Sequence, residues 1–89
     1  MTTVRLSGYP EAILGRSSIT LALPGGAVMA DAVRAVAAQH RKLGTSLQHA
    51  DSRPRNSTKT LLNGVVAGPD TPIPSGATVT VLAALPCDG

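Results

Sequence analysis

The sequence predicts an α+β domain: a mixed sheet with one main helix packed across it. Three observations carry this. Alternating apolar and polar residues stand near both ends of the chain, at Thr3–Ser7 and Thr78–Ala83. One long segment, Met29–Arg41, repeats its apolar residues at three-to-four spacing. Glycine and proline clusters separate these segments from a further apolar run around Asn63-Gly64.

Thr3-Val4-Arg5-Leu6-Ser7 alternates and reads as a strand, interrupted by Gly8-Tyr9-Pro10. Ser18–Leu23 alternates again, with Ile19, Leu21 and Leu23 on one face, and Pro24-Gly25-Gly26 ends it. About ten residues join these strands, which predicts an antiparallel hairpin with a long loop. In the helical segment, Met29, Ala32, Val33, Val36 and Ala37 share a face. Asp31 stands in its first turn, where a carboxylate suits the helix dipole. Arg41 and Lys42 suit a last turn, with Gly44 as the stop and His40 near that end. Val28, at the start, is not a capping residue.

Thr45–Thr60 is polar and basic, and is too long to stand as one structureless loop in a compact domain. A helical turn is expected near Ser46–His49 and a mobile tip around Ser52–Ser57. Leu61-Leu62-Asn63-Gly64-Val65-Val66 places Asn-Gly between apolar pairs, a hairpin signal. Turns follow at Gly68-Pro69-Asp70 and Pro72–Gly76. In the final strand Val79 and Val81 point one way, Thr78 and Thr80 the other. The expected core is Val4, Leu6, Ile19, Leu21, Val33, Val36, Val79 and Val81, with the last strand central and parallel to the first.

At 89 residues the chain is one domain, and 43% hydrophobic against 15% charged is a folding composition. Tyr9 is the only aromatic residue, so the core is aliphatic and no aromatic platform for single-stranded nucleic acid exists. A lone cysteine, Cys87, excludes an internal disulfide and an all-cysteine zinc site. His40, His49, Asp51 and Cys87 show no metal-ligand spacing. Gly25-Gly26 lacks the Lys-Ser/Thr of a phosphate loop and reads as a turn. No signal peptide and no apolar run long enough to cross a membrane is evident, so a reducing, cytoplasmic setting is expected. Net charge is +3, and six of the eight basic residues lie between Arg34 and Lys59. A solvated helix end and polar loop explain that bias better than a docking patch, and nucleic acid is not favoured as a partner.

From Thr71 to Cys87 there is no charged residue, which is unusual for a terminus. Leu82–Leu85 is apolar, Pro86 stops strand pairing, and Cys87-Asp88-Gly89 follows. A terminal glycine has no side chain, so its carboxylate can enter a narrow channel.

These residues resemble the ubiquitin-like β-grasp sulfur carriers, chiefly the small subunit of molybdopterin synthase (MoaD) and its relative ThiS. Val4-Arg5-Leu6 with Gly8-Tyr9 is similar to the family's first strand and its exit. Leu21–Ala27 is similar to the second strand and the turn into the helix, Asp31-Ala32-Val33 to the helix start, and Leu62-Asn63-Gly64 to a Val-Asn-Gly turn. Ile73–Val79 resembles a Leu-x-Asp-Gly-Asp-x-Val segment in which Ser and Ala replace the acids. The resemblance implies a ubiquitin-like β-grasp domain over residues 1–85 and a flexible tail over 86–89. It also implies a carrier that is not itself an enzyme and binds no cofactor. An E1-like adenylating enzyme would use ATP to activate the Gly89 carboxylate, which becomes a thiocarboxylate. A second enzyme, such as the large subunit of molybdopterin synthase, would then take the sulfur. Leu85, Pro86, Cys87 and Asp88 would be the partner-binding tail. The family ends Gly-Gly; this chain ends Asp88-Gly89. That difference keeps open a β-grasp interaction module without transfer chemistry. Cys87 lies two residues from the reacting group and is read chiefly as an incidental thiol, with a cyclic thioester as the alternative.

Overall fold

The computed structural model describes residues 1–48 and 58–84. The elements in chain order are β1 (Thr2–Gly8), α1 (Tyr9–Leu14), β2 (Ser18–Leu21), α2 (Met29–Ala37), α3 (Arg41–Leu47), β3 (Thr58–Leu62), β4 (Val65–Val66) and β5 (Thr78–Ala83). The strands form one mixed sheet in the order β2-β1-β5-β3-β4. β5 is central, parallel to β1 and antiparallel to β3. A tight turn cannot join parallel strands. Everything between Gly8 and Thr78 makes the connection, and it carries α2 and α3.

Register sets the core. Val4 pairs with Val79 and Leu6 with Val81, so all four point to the same face. There they meet Met29, Ala32, Val33, Val36 and Ala37 of α2. Each expected core residue on β1, α2 and β5 is buried. Ile19 and Leu21 are only partly buried, contrary to expectation. They lie on β2, the edge strand, whose inner face has a neighbour on one side only. β2 also ends at Leu21 instead of Leu23.

The loop expected between the first two strands holds α1 instead. Pro10 sits in its first turn with Glu11 beside it, and Gly15 closes it in the left-handed conformation at φ 68°. Pro10 is fully buried, and Tyr9, Ile13 and Leu14 pack against the core.

The helix expected over Met29–Arg41 is two helices. α2 ends at Ala37, and His40 turns extended, at φ −157° and ψ 135°, before α3 begins. Arg41 and Lys42 therefore open α3 instead of closing α2, and Gly44 lies inside α3. His40 is the N-cap of α3: its Nδ1 accepts a 3.1 Å bond from the Lys42 amide. The break has a packing cause. One straight helix from Met29 to Leu47 would run about 28 Å, against about 20 Å for β5. Breaking at His40 lets Leu43 and Leu47 return to the core, where both are fully buried. The helical turn expected near Ser46–His49 is the end of α3, apart from His49. His49 and the tip Ser52–Ser57 lie outside the described residues.

The Asn63-Gly64 turn forms as expected, with positive φ at both residues, 51° and 85°. Asn63 Oδ1 accepts a 3.0 Å bond from the Thr78 amide, tying the hairpin to the start of β5. β3 begins at Thr58, inside the stretch expected to be loop. Its alternate residues Thr58 and Thr60 are buried and satisfy their hydroxyls on the carbonyls of Leu47 and Ala67, at 2.8 and 2.7 Å.

Candidate functional site

The expected site residues Leu85, Pro86, Cys87, Asp88 and Gly89 lie outside the described residues, as does the expected tail boundary at 86. The platform from which they leave is described. β5 carries the chain through the middle of the sheet to Ala83, and Ala84 is exposed. Ala83 pairs with Gly8 on one side and Thr58 on the other. Gly8 is the last residue of β1, and Thr58 is the first described residue of β3.

Gly8 has φ 73° and ψ −129°, ends β1 and is the N-cap of α1. A Cβ built on it would lie 1.9 Å from the Ala83 carbonyl oxygen. The close approach is possible only because position 8 has no side chain.

Among the described residues, no element covers the sheet face away from α2 and α3. Ser7, Leu82 and Lys59 form one cross-strand row, and Arg5, Thr80, Leu61 and Val66 the next. Leu82 and Val66 are 36% and 73% exposed, an apolar stripe that begins one residue before Ala83 and runs through Leu61. Arg5 and Lys59 flank it, both exposed, and the five strands contain no acidic residue.

The described basic residues between Arg34 and Lys59 do not gather into one patch. Arg34 pairs with Asp31 at 3.0 Å on α2, Arg41 and Lys42 open α3, and Lys59 points from the opposite face of the sheet. Arg53 and Arg55 lie outside the described residues. Among the described residues no three His, Cys, Asp or Glu side chains gather to hold a metal ion. No helix among them is long and apolar enough to cross a membrane. Depressions among the described residues include these two. One of about 280 Å³ lies between the Pro24-Gly25-Gly26 and Pro74-Ser75-Gly76 turns. The other, about 230 Å³, lies over Thr3, Arg5, Ser17, Ser18 and Thr78 on the sheet face away from α2 and α3. Neither is lined by a histidine or a carboxylate, so neither places a base beside a hydroxyl.

A mixed sheet with parallel first and last strands at its centre, crossed on one face by the main helix, is a ubiquitin-like β-grasp. Solved structures agree. The chain is similar to the small archaeal modifier protein SAMP1 of Haloferax volcanii, at 19% identity and TM-score 0.81, over 99% of this chain and 97% of that one. A candidate molybdopterin converting factor, subunit 1, of Pyrococcus furiosus matches at 17% identity and TM-score 0.73, over 94% and 97%. The BexX/CysO complex of Amycolatopsis orientalis matches at 18% identity and TM-score 0.71, over 97% and 98%. At these identities the likeness is one of fold. The fold agrees with the resemblance drawn from the sequence. No protein-family model and no curated protein matches the chain.

The tail residues were singled out from the sequence alone and lie outside the described residues. The outer stripe and the Gly8–Ala83 approach were not legible there, because both need the β1–β5–β3 register. The exposed alternation Lys59-x-Leu61 against Thr80-x-Leu82 was the available signal.

Proposed function

We propose that the chain is a sulfur carrier whose Gly89 carboxylate is adenylated by an E1-like enzyme and converted to a thiocarboxylate. A free carboxylate is a poor acyl donor. Attack of its oxygen on the α-phosphorus of ATP releases pyrophosphate and leaves an acyl adenylate. Hydrosulfide then adds to the acyl carbon; the C–S bond forms, the C–O bond to AMP breaks, and AMP leaves with the electron pair. A second partner, of the kind represented by the large subunit of molybdopterin synthase, takes the sulfur.

The observation that carries this reading is the placement of the tail root. The central strand ends at the buried Ala83, and the next residue, Ala84, is exposed at the rim of the sheet, close to an acid-free apolar stripe. A partner can hold the sheet face through Leu61, Leu82 and Val66 while residues 85–89 reach its active site. Arg5 and Lys59 suit acidic groups around such a contact. That one of the similar structures is a complex of CysO with BexX supports partner binding by this fold. Asp88, where the family ends in two glycines, favours a second reading: a β-grasp interaction module that docks through the same face and transfers no sulfur.

Intact mass after incubation with the cognate E1-like enzyme, ATP and sulfide separates the two. The carrier gains the mass difference of one sulfur for one oxygen, and deleting Gly89 abolishes the gain. An unchanged mass with an enzyme active on another carrier leaves the interaction module.

A further inference from the structure

We infer that Gly8 is a positioning residue for the tail: by having no side chain it lets the Ala83 carbonyl close onto β1, and so sets where the chain leaves the sheet. The inference rests on the carrier reading and names a residue more than eighty positions from the reacting carboxylate.

The geometry is specific to this glycine. Five glycines among the described residues have positive φ, and a side chain at Gly15, Gly26, Gly64 or Gly76 would meet nothing within 4 Å. At Gly8 it would meet the Ala83 oxygen at 1.9 Å and the Ala83 carbon at 3.0 Å. Real Cβ contacts essentially never fall below 3.0 Å, so the two backbones would have to part by more than 1 Å. The flexible end of a side chain could move aside; a main-chain carbonyl in a ladder cannot move alone. Ala83 is also held by Thr58 on its far side, and it is the last residue of β5 before the exposed Ala84. Displacing it moves the root of everything that follows.

A docked carrier transmits such a shift to its far end. If a partner grips the sheet face, the position of Gly89 relative to the adenylate site depends on where the tail begins. A misplacement of about 1 Å in a positioned reaction can cost about 10²-fold in rate. The docking face itself is built from Leu61, Leu82 and Val66 and includes no part of Gly8. The expected signature is therefore a loss in kcat with KM retained.

The test is steady-state thiocarboxylate formation by the cognate E1-like enzyme with ATP and sulfide, on wild type, Gly8→Ala, Gly76→Ala and a variant lacking Ala84. Gly76→Ala is the control for backbone strain: its φ is 79°, but its added Cβ enters open space at the opposite end of β5. Gly8→Ala is expected to lower kcat by about tenfold or more with KM within about twofold, and Gly76→Ala to change neither. Removing Ala84, which lies outside β5 and is exposed, shifts the root by up to about 3.5 Å without touching position 8. It should lower kcat in the same way, and this holds the test open even if Gly8→Ala does not fold. An unchanged kcat in the variant lacking Ala84, or equal behaviour of folded Gly8→Ala and Gly76→Ala, overturns the inference. A wild type that forms no thiocarboxylate overturns the carrier reading instead.

Discussion

Thr58 Oγ1 donates a 2.8 Å hydrogen bond to the main-chain carbonyl of Leu47, fastening the end of α3 to the start of β3. Both residues are buried, so neither group has water as an alternative. Thr58→Val keeps the shape of the side chain and strands the Leu47 carbonyl. We expect it to lower stability by about 1–3 kcal/mol, the cost of a buried unsatisfied acceptor. Thr58→Ser, which keeps the hydroxyl, should retain most of the bond. Urea denaturation midpoints of the two variants check this, and equal midpoints would show the bond to be energetically idle.

Leu43 and Leu21 give a graded test of the core. Leu43 is fully buried on α3, whereas Leu21 is half-covered on the edge strand β2. Leu43→Ala should cost about 2–5 kcal/mol, since it loses transfer energy and leaves a cavity. Leu21→Ala should cost distinctly less, because water already reaches the site. If chemical denaturation gives the reverse order, α3 does not hold the core as described.

Asp31 takes part in two interactions of unequal worth. Its Oδ2 accepts a 2.9 Å bond from the Val28 amide, an otherwise unpaired donor at the start of α2. Its Oδ1 pairs with Arg34, whose side chain is 56% exposed. Asp31→Ala should therefore cost about 0.5–2 kcal/mol, the range for a lost N-terminal cap. Arg34→Ala should cost under about 0.5 kcal/mol, as solvent screens an exposed pair. Thermal unfolding of both variants would contradict this assignment if Arg34→Ala proved the more harmful.

Leu82 lies on the sheet face away from α2 and α3, one residue before Ala83. Being 36% exposed, it contributes little to the core. Leu82→Asp should leave the unfolding midpoint nearly unchanged and raise KM for activation by the E1-like partner about tenfold or more. The reasoning is that the substitution places a charge in the middle of an apolar contact. An unchanged KM would remove this face from the proposed contact.

Asp88 adds a negative charge next to the proposed site of adenylation. At an effective dielectric of about 20 and a separation of about 8 Å from a phosphate charge, repulsion is about 2 kcal/mol. An adenylating enzyme that accepts Gly-Gly tails should accordingly prefer Asp88→Gly over wild type by about thirtyfold in kcat/KM. Competition between the two proteins, read by intact mass, measures that ratio directly. A ratio near one would mean that the charge at position 88 does not face the nucleotide.

Where local pattern and final environment agree, the sequence was a sufficient guide. Val4 and Leu6 alternate because β1 has one buried face, and Val79 and Val81 repeat the pattern on β5. Asn63-Gly64 forms its turn because both residues accept positive φ without help from the rest of the chain. α1 was missed although its marks were present: Pro10 and Glu11 at the start and Gly15 at the end. In six residues they read equally well as turn punctuation. Only the burial of Pro10 under the end of the sheet decides between the two.

The chain by itself determined an aliphatic α+β core, the strand faces and a charge-free stretch from Thr71 to Cys87, since these follow from residue type and short-range periodicity. Tertiary structure decided where the long helix breaks. Met29–Ala37 and Leu43–Leu47 continue one another's periodicity, and only the length of the sheet they cover makes them two helices. It also decided which neighbours Ala83 would have. Gly8 and Thr58 are remote from it in sequence, and a contact between main chains leaves no trace in hydrophobic pattern. The close approach at Gly8 exists because two strands from opposite ends of the chain pair in parallel, a relationship that arises from long-range register and from no local preference.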